Sequence, residues 1–359
     1  MTLSTKINAG RFFEDFVLGE VILHATPRTI TAGDAALYIA LTGSRNPLHC
    51  SEPFAQSLGY KTTPIDNLLA FHIAFGKTVP DISVNAVANL GYAEAKFIQP
   101  VFVGDTLTTS SEVIGLKQNS NGKNGVVWVR STTVNQHKVA VMSWVRWVMI
   151  HKSEHHQTNL SAPAPETVIP KLAPFVSVEH LQLSPYMSAK YYQTNATGGD
   201  YLWEDYQIGE RINHAAGMTI NESDHSLATR LYQNNAKLHF DAHLMKNSAI
   251  GQRLVYGGVV ISACRALSFD GLENALSILA INGGTHANPC FAGDTIYTFT
   301  EVLDAWPLPK RTDIGALRLR MVGIKNMAAH EIGEIKTENG YHPNVVLDLD
   351  YTVHMPRKH

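Results

Sequence analysis

The sequence predicts an α+β fold built from two tandem copies of one module, and three observations lead to that prediction. The chain repeats itself, each copy contains one mostly apolar stretch of helical length, and each copy ends in segments that alternate apolar and polar residues. A repeat of this length indicates duplication of a whole domain. A stretch that is apolar on most faces is typical of a buried helix, and alternation is typical of antiparallel strands with one covered face.

The repeat contains almost no insertions over its matched parts. Residues between 14 and 25 recur between 204 and 215 at an offset of 204 − 14 = 190, and Asp105 matches Asp294 at an offset of 294 − 105 = 189. The two copies therefore share one order of elements. Each begins with a short strand, after which Asp34 or Asp224 occupies the predicted N-cap of a first helix.

The long helix is predicted at residues 64–79 in the first copy and 256–269 in the second, and alternating segments follow it. One long helix wrapped by an antiparallel sheet, made twice, is a double hotdog fold. Two such sheets joined edge to edge would form one continuous antiparallel sheet with two central helices. The two tandem hotdog modules would then form a pseudo-dimer within one chain.

The predicted domain organisation follows from the repeat. Residues 1–152 form the N-terminal hotdog module, residues 153–200 a linker rich in Pro, Ser and His, and residues 201–359 the C-terminal module that carries the active site. Residues 327–345 have no counterpart in the first copy and are predicted to be an inserted hairpin or loop. At the end of the N-terminal module and in the linker, His151, His155 and His156 have no acidic or Cys partner at ligand spacing, so no metal site is predicted.

Composition places the chain among globular proteins and argues against several functions. Of its 359 residues, 45% are hydrophobic and 17% are charged, which suits two domains with cores of their own. A net charge of -2 gives no electrostatic basis for binding nucleic acid or an anionic membrane. Three cysteines without CxxC spacing fit free thiols, and no signal or membrane-spanning stretch is apparent. We expect a cytoplasmic protein, with homodimerisation left open.

Each copy carries an irregular turn with a histidine five residues after a polar residue, Ser44 and His49 in the first and Asn234 and His239 in the second. The first turn reads GSRNPLHCSE and resembles the GDxNPxHxD turn of the MaoC-like family of R-specific enoyl-CoA hydratases. In that family an Asp and a His act on one face of a conjugated thioester, as syn addition of water requires. The resemblance implies an acyl-CoA substrate and neither a metal nor a redox cofactor.

Both turns depart from the family pattern at the Asp position, which holds Ser44 or Asn234. The second turn keeps His239, and Asp241 matches the last residue of the pattern. The resemblance therefore implies that Asn234, His239 and Asp241 are the catalytic residues. With Asn at the Asp position, the second proton carrier is unassigned, and Asp241 and Glu222 are the alternatives.

After the second turn, LVYGGVVIS resembles the family's helix start, whose Gly amide contacts the substrate oxyanion. That position falls on Gly257, with Gly258 beside it, whereas the first copy has TPIDNLLAF and no Gly. Arg253 and Arg265 are candidates for binding a substrate carboxylate, because Arg pairs with carboxylates in a bidentate manner. His49 is interpreted either as a relic of the duplicated turn or as a contact on the CoA side of the site.

Longer strings resemble one branch of the family, whose substrate is a branched dicarboxylic enoyl-CoA, the C1 thioester of mesaconic acid. They are FFEDFVLGEVILHATPRTIT, FGKTVPDISVNAVANLGYA, QNNAKLHFD, QRLVYGGVVISACRALSFDGLENAL, AINGGTHANPCFAGDTIY and GALRLRMVGIKN. That branch also has Asn at the position of Asn234. A neutral Asn removes a negative charge that would repel the second carboxylate of such a substrate. The resemblance implies reversible hydration of that thioester.

Several alternatives stay open on the sequence alone. A hotdog thioesterase would need an acidic residue on the helix, and Asp66 occupies that place in the first copy. A non-catalytic acyl-CoA binding module is favoured by the missing Asp, and a hydratase for another branched acyl group is a third alternative. Among the remaining histidines, His72 and His214 are predicted to be structural, and His286 is either structural or a substrate contact.

Overall fold

The structure is a computed structural model that describes residues 6–154, 156 and 165–358. His155 and residues 157–164 of the predicted linker therefore lie outside the described residues. Two halves of similar element order follow each other along the chain, as the internal repeat predicts.

The first half begins with short strands and ends in four long ones around a central helix. Its elements are β1 (Val21–Leu23), β2 (Arg28–Thr29), α1 (Ala32–Thr42), α2 (Pro47–Cys50), α3 (Glu52–Ser57), α4 (Asn67–Ile82), β3 (Ala86–Phe97), β4 (Thr106–Gln118), β5 (Asn124–Val134) and β6 (Ala140–His151).

The second half repeats this order and adds a small hairpin before its last strand. Its elements are β7 (Arg211–Asn213), β8 (Met218–Thr219), α5 (Glu222–Leu231), α6 (Lys237–Phe240), α7 (Ala242–Lys246), α8 (Gly257–Leu267), β9 (Ile278–Thr285), β10 (Thr295–Pro307), β11 (Ile314–Lys325), β12 (Lys336–Thr337), β13 (Gly340–Tyr341) and β14 (Val345–Pro356). Short 3-10 helices cover Phe13–Asp15, Val178–His180, Thr194–Ala196 and Trp203–Asp205.

One antiparallel sheet of twelve strands runs through both halves in the order β1-β4-β5-β6-β3-β9-β14-β11-β10-β7, with β2 on β4 and β8 on β10. The halves join where β3 pairs with β9, with Tyr92 opposite Gly284 and Ala93 opposite Gly283. This continuous sheet confirms the predicted double hotdog fold. The sequence analysis did not predict β3 and β9 as strands. Strand β9 contains a Gly pair, which has low strand propensity, and its pairing with β14 and β3 holds it in the sheet.

The two central helices, α4 and α8, lie in the main hydrophobic core that both halves share. Helix α4 also reaches the histidine turn of the second half. A Cβ atom at Gly76 would overlap the backbone of Tyr232 and crowd the amide of Asn234. Only glycine therefore permits this close approach, which fixes the second turn against the helix of the first half.

The first helix of each half begins three residues earlier than the sequence pattern indicated. Thr31 and Asn221 are the N-cap residues, and Asp34 and Asp224 stand at the third helical position. The carboxylate of Asp34 accepts a hydrogen bond from the Thr31 amide at 2.8 Å. The N-cap prediction for the two Asp residues was wrong because a capping box places its acid three residues after the cap.

The described part of the segment between the halves lies on the folded body. Val176, Met187 and Ala189 are buried, and Val168 pairs with Leu116 at the edge of the sheet. Residues 327–345 contain the β12–β13 hairpin, in agreement with the predicted insertion. No helix among the described residues has the length and hydropathy needed to cross a bilayer.

Candidate active site

A cavity of about 330 Å³ lies between the two halves of the molecule. The first half contributes residues of α4, β3 and β6, and the second half contributes the histidine turn, the start of α8 and the loop after β9. Those that carry the argument below are Phe75, Asn89, Tyr92, Arg146, Asn234, His239, Gly257 and His286. Because both halves line it, neither module has the cavity on its own.

His239 is held in one orientation by the backbone. Its Nδ1 lies 3.0 Å from the carbonyl oxygen of Leu254, which can only accept a hydrogen bond. Nδ1 is therefore the protonated nitrogen, and Nε2 carries the lone pair. Burial lowers the pKa of His239 to about 4, although the bond to Leu254 opposes the shift. The imidazole is neutral at pH 7 and can act as a base at Nε2.

The equivalent histidine of the first half has the same backbone contact. Nδ1 of His49 lies 3.0 Å from the carbonyl oxygen of Pro64. His49 does not line the large cavity but a pocket of about 20 Å³ beside Ser44, Asp66 and Arg265. The turn geometry is thus repeated in both halves. Within the described residues, the cavity of about 330 Å³ lies beside the second turn and not beside the first.

Asn234 is buried and lines the cavity beside His239. Its side-chain oxygen accepts a hydrogen bond from the Ala236 amide at 3.0 Å, which is an Asx turn. Its Nδ2 donates to no other group of the described chain and can therefore donate to a water molecule. The preceding residue, Gln233, has a φ of 52°, where the first half has Gly43, so the turn holds a strained backbone next to the site.

The start of α8 is open, which means that its first two amides have no hydrogen-bond partner among the described residues. The start of α4 is capped by a carboxylate. In α4, the Asp66 carboxylate accepts a hydrogen bond from the Leu68 amide at 2.8 Å. In α8, Tyr256 is the N-cap and makes no side-chain cap, so neither the Gly257 nor the Gly258 amide donates a hydrogen bond within the described residues. A helix start with free amides binds developing negative charge.

Close packing at the start of α8 leaves no room for a side chain at either glycine. A Cβ atom at Gly257 would overlap the ring of His286, and one at Gly258 would overlap Tyr256 and crowd His72. His286 lines the cavity, and its Nε2 lies 3.2 Å from the hydroxyl of Tyr92. Burial lowers the pKa of His286 to about 4, with a further decrease caused by His239.

Asp241 and Arg253, which were predicted as site residues, do not line the cavity. Asp241 is exposed and is the N-cap of α7, where its carboxylate accepts a hydrogen bond from the Leu244 amide at 2.9 Å. Arg253 forms an ion pair with Glu222 and donates to the Ser226 hydroxyl at 2.8 Å. The geometry therefore gives Asp241 and Arg253 structural partners in place of the predicted contacts with substrate.

Arg265, the second arginine predicted to bind a carboxylate, lies at the small pocket of the first half. Its Nη2 donates to the carbonyl oxygen of Ala275 at 2.7 Å. In the predicted thioesterase alternative, Asp66 would act at this same pocket, but it caps α4 there. Among the described residues, no group of three or more His, Cys, Asp or Glu side chains is arranged to hold a metal ion.

Sequence reasoning missed several polar residues of the cavity, among them Arg146 on β6 and Asn89 on β3. The sequence does contain an indication that Arg146 faces the interior. It stands within the apolar strand segment VAVMSWVRWVMI, in the same alternating register as the buried Trp144 and Val148. An arginine in an inward position of a strand is rare unless it is paired, and it identifies a polar site inside the fold.

Two fused hotdog modules, with a histidine turn facing an open helix start, are an architecture expected of MaoC-like proteins, and the chain belongs to the MaoC-like family. A MaoC like domain matches residues 15–135. The chain is 55% identical to the β-methylmalyl-CoA dehydratase of Chloroflexus aurantiacus, over 99% of this chain and 100% of that protein. It is 52% identical to the mesaconyl-CoA hydratase of Cereibacter sphaeroides, over 98% of this chain and 100% of that protein.

Solved structures agree with the fold. The crystal structure of a MaoC domain protein dehydratase from Chloroflexus aurantiacus has a TM-score of 0.94 and 55% identity, and covers 99% of this chain and 100% of that chain. A Mycobacterium tuberculosis protein with a double hotdog fold has a TM-score of 0.74 and 21% identity, covering 97% and 99%. The second comparison supports the fold alone.

Proposed function

We propose that this chain catalyses the reversible addition of water to the C1 thioester of mesaconic acid with CoA, which gives β-methylmalyl-CoA. The observation that carries the proposal is the convergence of His239, Asn234 and the open start of α8 on one cavity. Its substrate is supported by the names of the two relatives that match the chain over nearly its whole length.

In the hydration direction, the site first activates water. The amide of Asn234 orients a water molecule, and the neutral His239 takes a proton from it at Nε2. The water oxygen bonds to the β-carbon of the conjugated thioester, and the electron pair of the double bond moves toward the thioester oxygen. The amides of Gly257 and Gly258 stabilise the resulting enolate oxygen at the start of α8.

The addition is completed when the protonated His239 returns its proton to the α-carbon on the same face. One water molecule is added, the imidazole returns to its neutral form, and no electron acceptor is needed. A single histidine thus carries both proton transfers, so the proposal requires no role for Asp241. Dehydration follows the same steps in reverse.

Turnover requires neither a metal nor a redox cofactor, because hydration is redox-neutral and backbone amides stabilise the developing charge. We also infer a cytoplasmic location. Cys50, Cys264 and Cys290 are free thiols, which suits a reducing compartment.

The proposal is tested by turnover of mesaconyl-C1-CoA, followed as loss of the conjugated thioester absorbance, with crotonyl-CoA in parallel. We expect rapid loss with mesaconyl-C1-CoA and little with crotonyl-CoA. Loss of absorbance with crotonyl-CoA alone would support a hydratase activity but contradict mesaconyl-C1-CoA as the substrate. Release of free CoA thiol would indicate a thioesterase, and binding of both thioesters without turnover would indicate a binding module.

A further inference from the structure

We propose that Arg146 and Asn89 form the subsite that binds the free carboxylate of the acyl group. This inference rests on the proposed function for the identity of the substrate. It replaces the sequence-based candidates Arg253 and Arg265, which are paired elsewhere. Arg146 and Asn89 are then the residues that distinguish a dicarboxylic acyl group from a monocarboxylic one.

Arg146 is a fully buried guanidinium that lacks the partners such a group requires. Its Nη2 donates to the Thr78 hydroxyl at 2.8 Å, and its Cζ lies 4.3 Å from the centre of the Phe75 ring. Its Nε and Nη1 are buried without a hydrogen-bond partner, and no acidic residue of the described chain pairs with it. Burial of an unpaired charge is costly, so the structure leaves a place for an anion.

The charge distribution of the cavity supports the same conclusion. Among the described residues that line it, Arg146 is the one permanently charged side chain, and no Asp, Glu or Lys is present. Burial lowers the pKa of Arg146 to about 10, so it remains charged at neutral pH. An anion that enters this cavity therefore meets one positive charge and no negative charge.

Asn89 gives a second, independent indication of a polar ligand. Its Oδ1 and its Nδ2 are both buried without a hydrogen-bond partner in the described residues. Asn89 lies on β3, which pairs with β6, and Tyr92 of β3 stands opposite Arg146. An arginine fork together with an amide N–H can bind both oxygens of one carboxylate.

The burial of Arg146 identifies which anion it binds. The phosphates of CoA are large and hydrated, whereas Arg146 is inaccessible to solvent at the inner wall of a small cavity. In mesaconyl-C1-CoA, the second carboxylate is attached to the carbon that receives the hydroxyl group. Binding it would therefore hold the reacting carbon in a fixed position relative to His239. The neutral Asn234 adds no negative charge that would repel this carboxylate.

The test compares mesaconyl-C1-CoA with (E)-2-methylbut-2-enoyl-CoA, which has a methyl group in place of the free carboxylate. Removing the ligand group for which a buried polar site is built costs about 10⁴-fold in discrimination. We expect the wild-type chain to prefer mesaconyl-C1-CoA by about 10³-fold or more in kcat/KM. Arg146→Met should remove most of this preference by lowering kcat/KM for mesaconyl-C1-CoA alone.

The matched control is Arg130→Met on the neighbouring strand β5. Arg130 is partly exposed, pairs with Glu94 and does not line the cavity, so the substrate preference should remain unchanged. Asn89→Asp provides a second test that keeps Arg146 in place. The added carboxylate should compete for the guanidinium and lower kcat/KM for mesaconyl-C1-CoA alone. A variant that lowers kcat/KM for both thioesters equally would show a structural role and overturn the subsite.

Equilibrium binding separates this inference from the proposed function. Succinyl-CoA and butyryl-CoA are unreactive toward water addition, and they differ by one carboxylate in place of one methyl group. Calorimetry should show tighter binding of succinyl-CoA to the wild-type chain, and Asn89→Asp and Arg146→Met should each abolish the difference. Equal affinities in the wild-type chain would reject the subsite even if mesaconyl-C1-CoA is hydrated. A difference in affinity between the two thioesters, without hydration of mesaconyl-C1-CoA, would contradict the proposed reaction and support the subsite.

Discussion

At the scale of single residues, the tautomer of His239 determines which atom can act on the substrate. Because the Leu254 carbonyl occupies Nδ1, the chemistry is left to Nε2. We expect His239→Gln to lower kcat by roughly 10²–10⁴-fold, the usual contribution of a general base. The measurement is steady-state hydration, with exposed His137→Gln as the control for loss of a histidine. Full turnover in His239→Gln would remove His239 from the mechanism.

The pH dependence of kcat/KM gives a second test of His239. A base acts only when unprotonated, and the pKa of His239 is lowered to about 4. The rate should therefore stay constant between pH 8 and roughly 5.5 and should decrease as the pH approaches about 4. A histidine with an ordinary pKa of about 6.5 would instead lose half its activity near that pH. A midpoint near 6.5 in short assays on folded protein would contradict the burial argument.

At the scale of elements, the open start of α8 distinguishes the second half from the first. Gly257→Ala adds a methyl group that overlaps the His286 ring, so the ring or the helix must move. We expect kcat to fall by roughly 10²-fold, comparable to loss of one oxyanion-hole donor.

The control for Gly257→Ala is Gly33→Ala in α1, where the added Cβ would meet only the Thr31 hydroxyl, at an ordinary 3.6 Å. That substitution should leave turnover unchanged and stabilise the helix by about 0.5–1 kcal/mol. Equal effects of both substitutions on turnover, with both proteins folded, would show that the α8 start has no special role.

The same elements show what the sequence could predict. The central helices and the alternating strands have local patterns, and these predictions were confirmed. Strands β3 and β9 were missed because their pairing depends on contacts between residues nearly two hundred positions apart, while the Gly pair of β9 favours no local structure. The N-caps were predicted three residues too late, at Asp34 and Asp224, because Asp is favourable both at an N-cap and at the third position of a capping box.

The site was predicted where the repeat and the family turn coincide, and missed where it depends on packing. The structure brings Asn234, His239 and Gly257 to one cavity, as a short motif and a nearby helix start would suggest. Arg146 comes from the other half of the molecule, at a position with no motif, so only the fold reveals that it faces the same space. Their catalytic and binding roles remain predictions, as do the domain boundaries.

At the scale of the whole molecule, buried neutral histidines should make the fold sensitive to acid. The pKa values of His72 and His354 are lowered to about 3 and that of His214 to about 4, mainly by burial. Their stabilising effect is complete above the unfolded pKa of about 6.5 and is lost as the pH falls toward the folded values, because the unfolded chain binds more protons.

We therefore expect the free energy of unfolding to decrease by on the order of 1–2 kcal/mol per histidine between pH 6.5 and 5. Urea unfolding at several pH values measures this decrease. His354→Gln should reduce the slope with pH, and His137→Gln, at an exposed position, should not. An unfolding free energy that is equal at pH 7 and pH 5 would contradict the prediction.

Duplication within one chain frees this molecule from a restriction that symmetric homodimers face. In a homodimer, every substitution enters both sites at once, so one site cannot gain a charge while the other is closed. Here Asp66 fills one helix start while the other stays open, and Tyr351 occupies the strand register that Arg146 has in the first half. The residues at the two equivalent sites can therefore change independently, and we expect one acyl-CoA to bind per polypeptide.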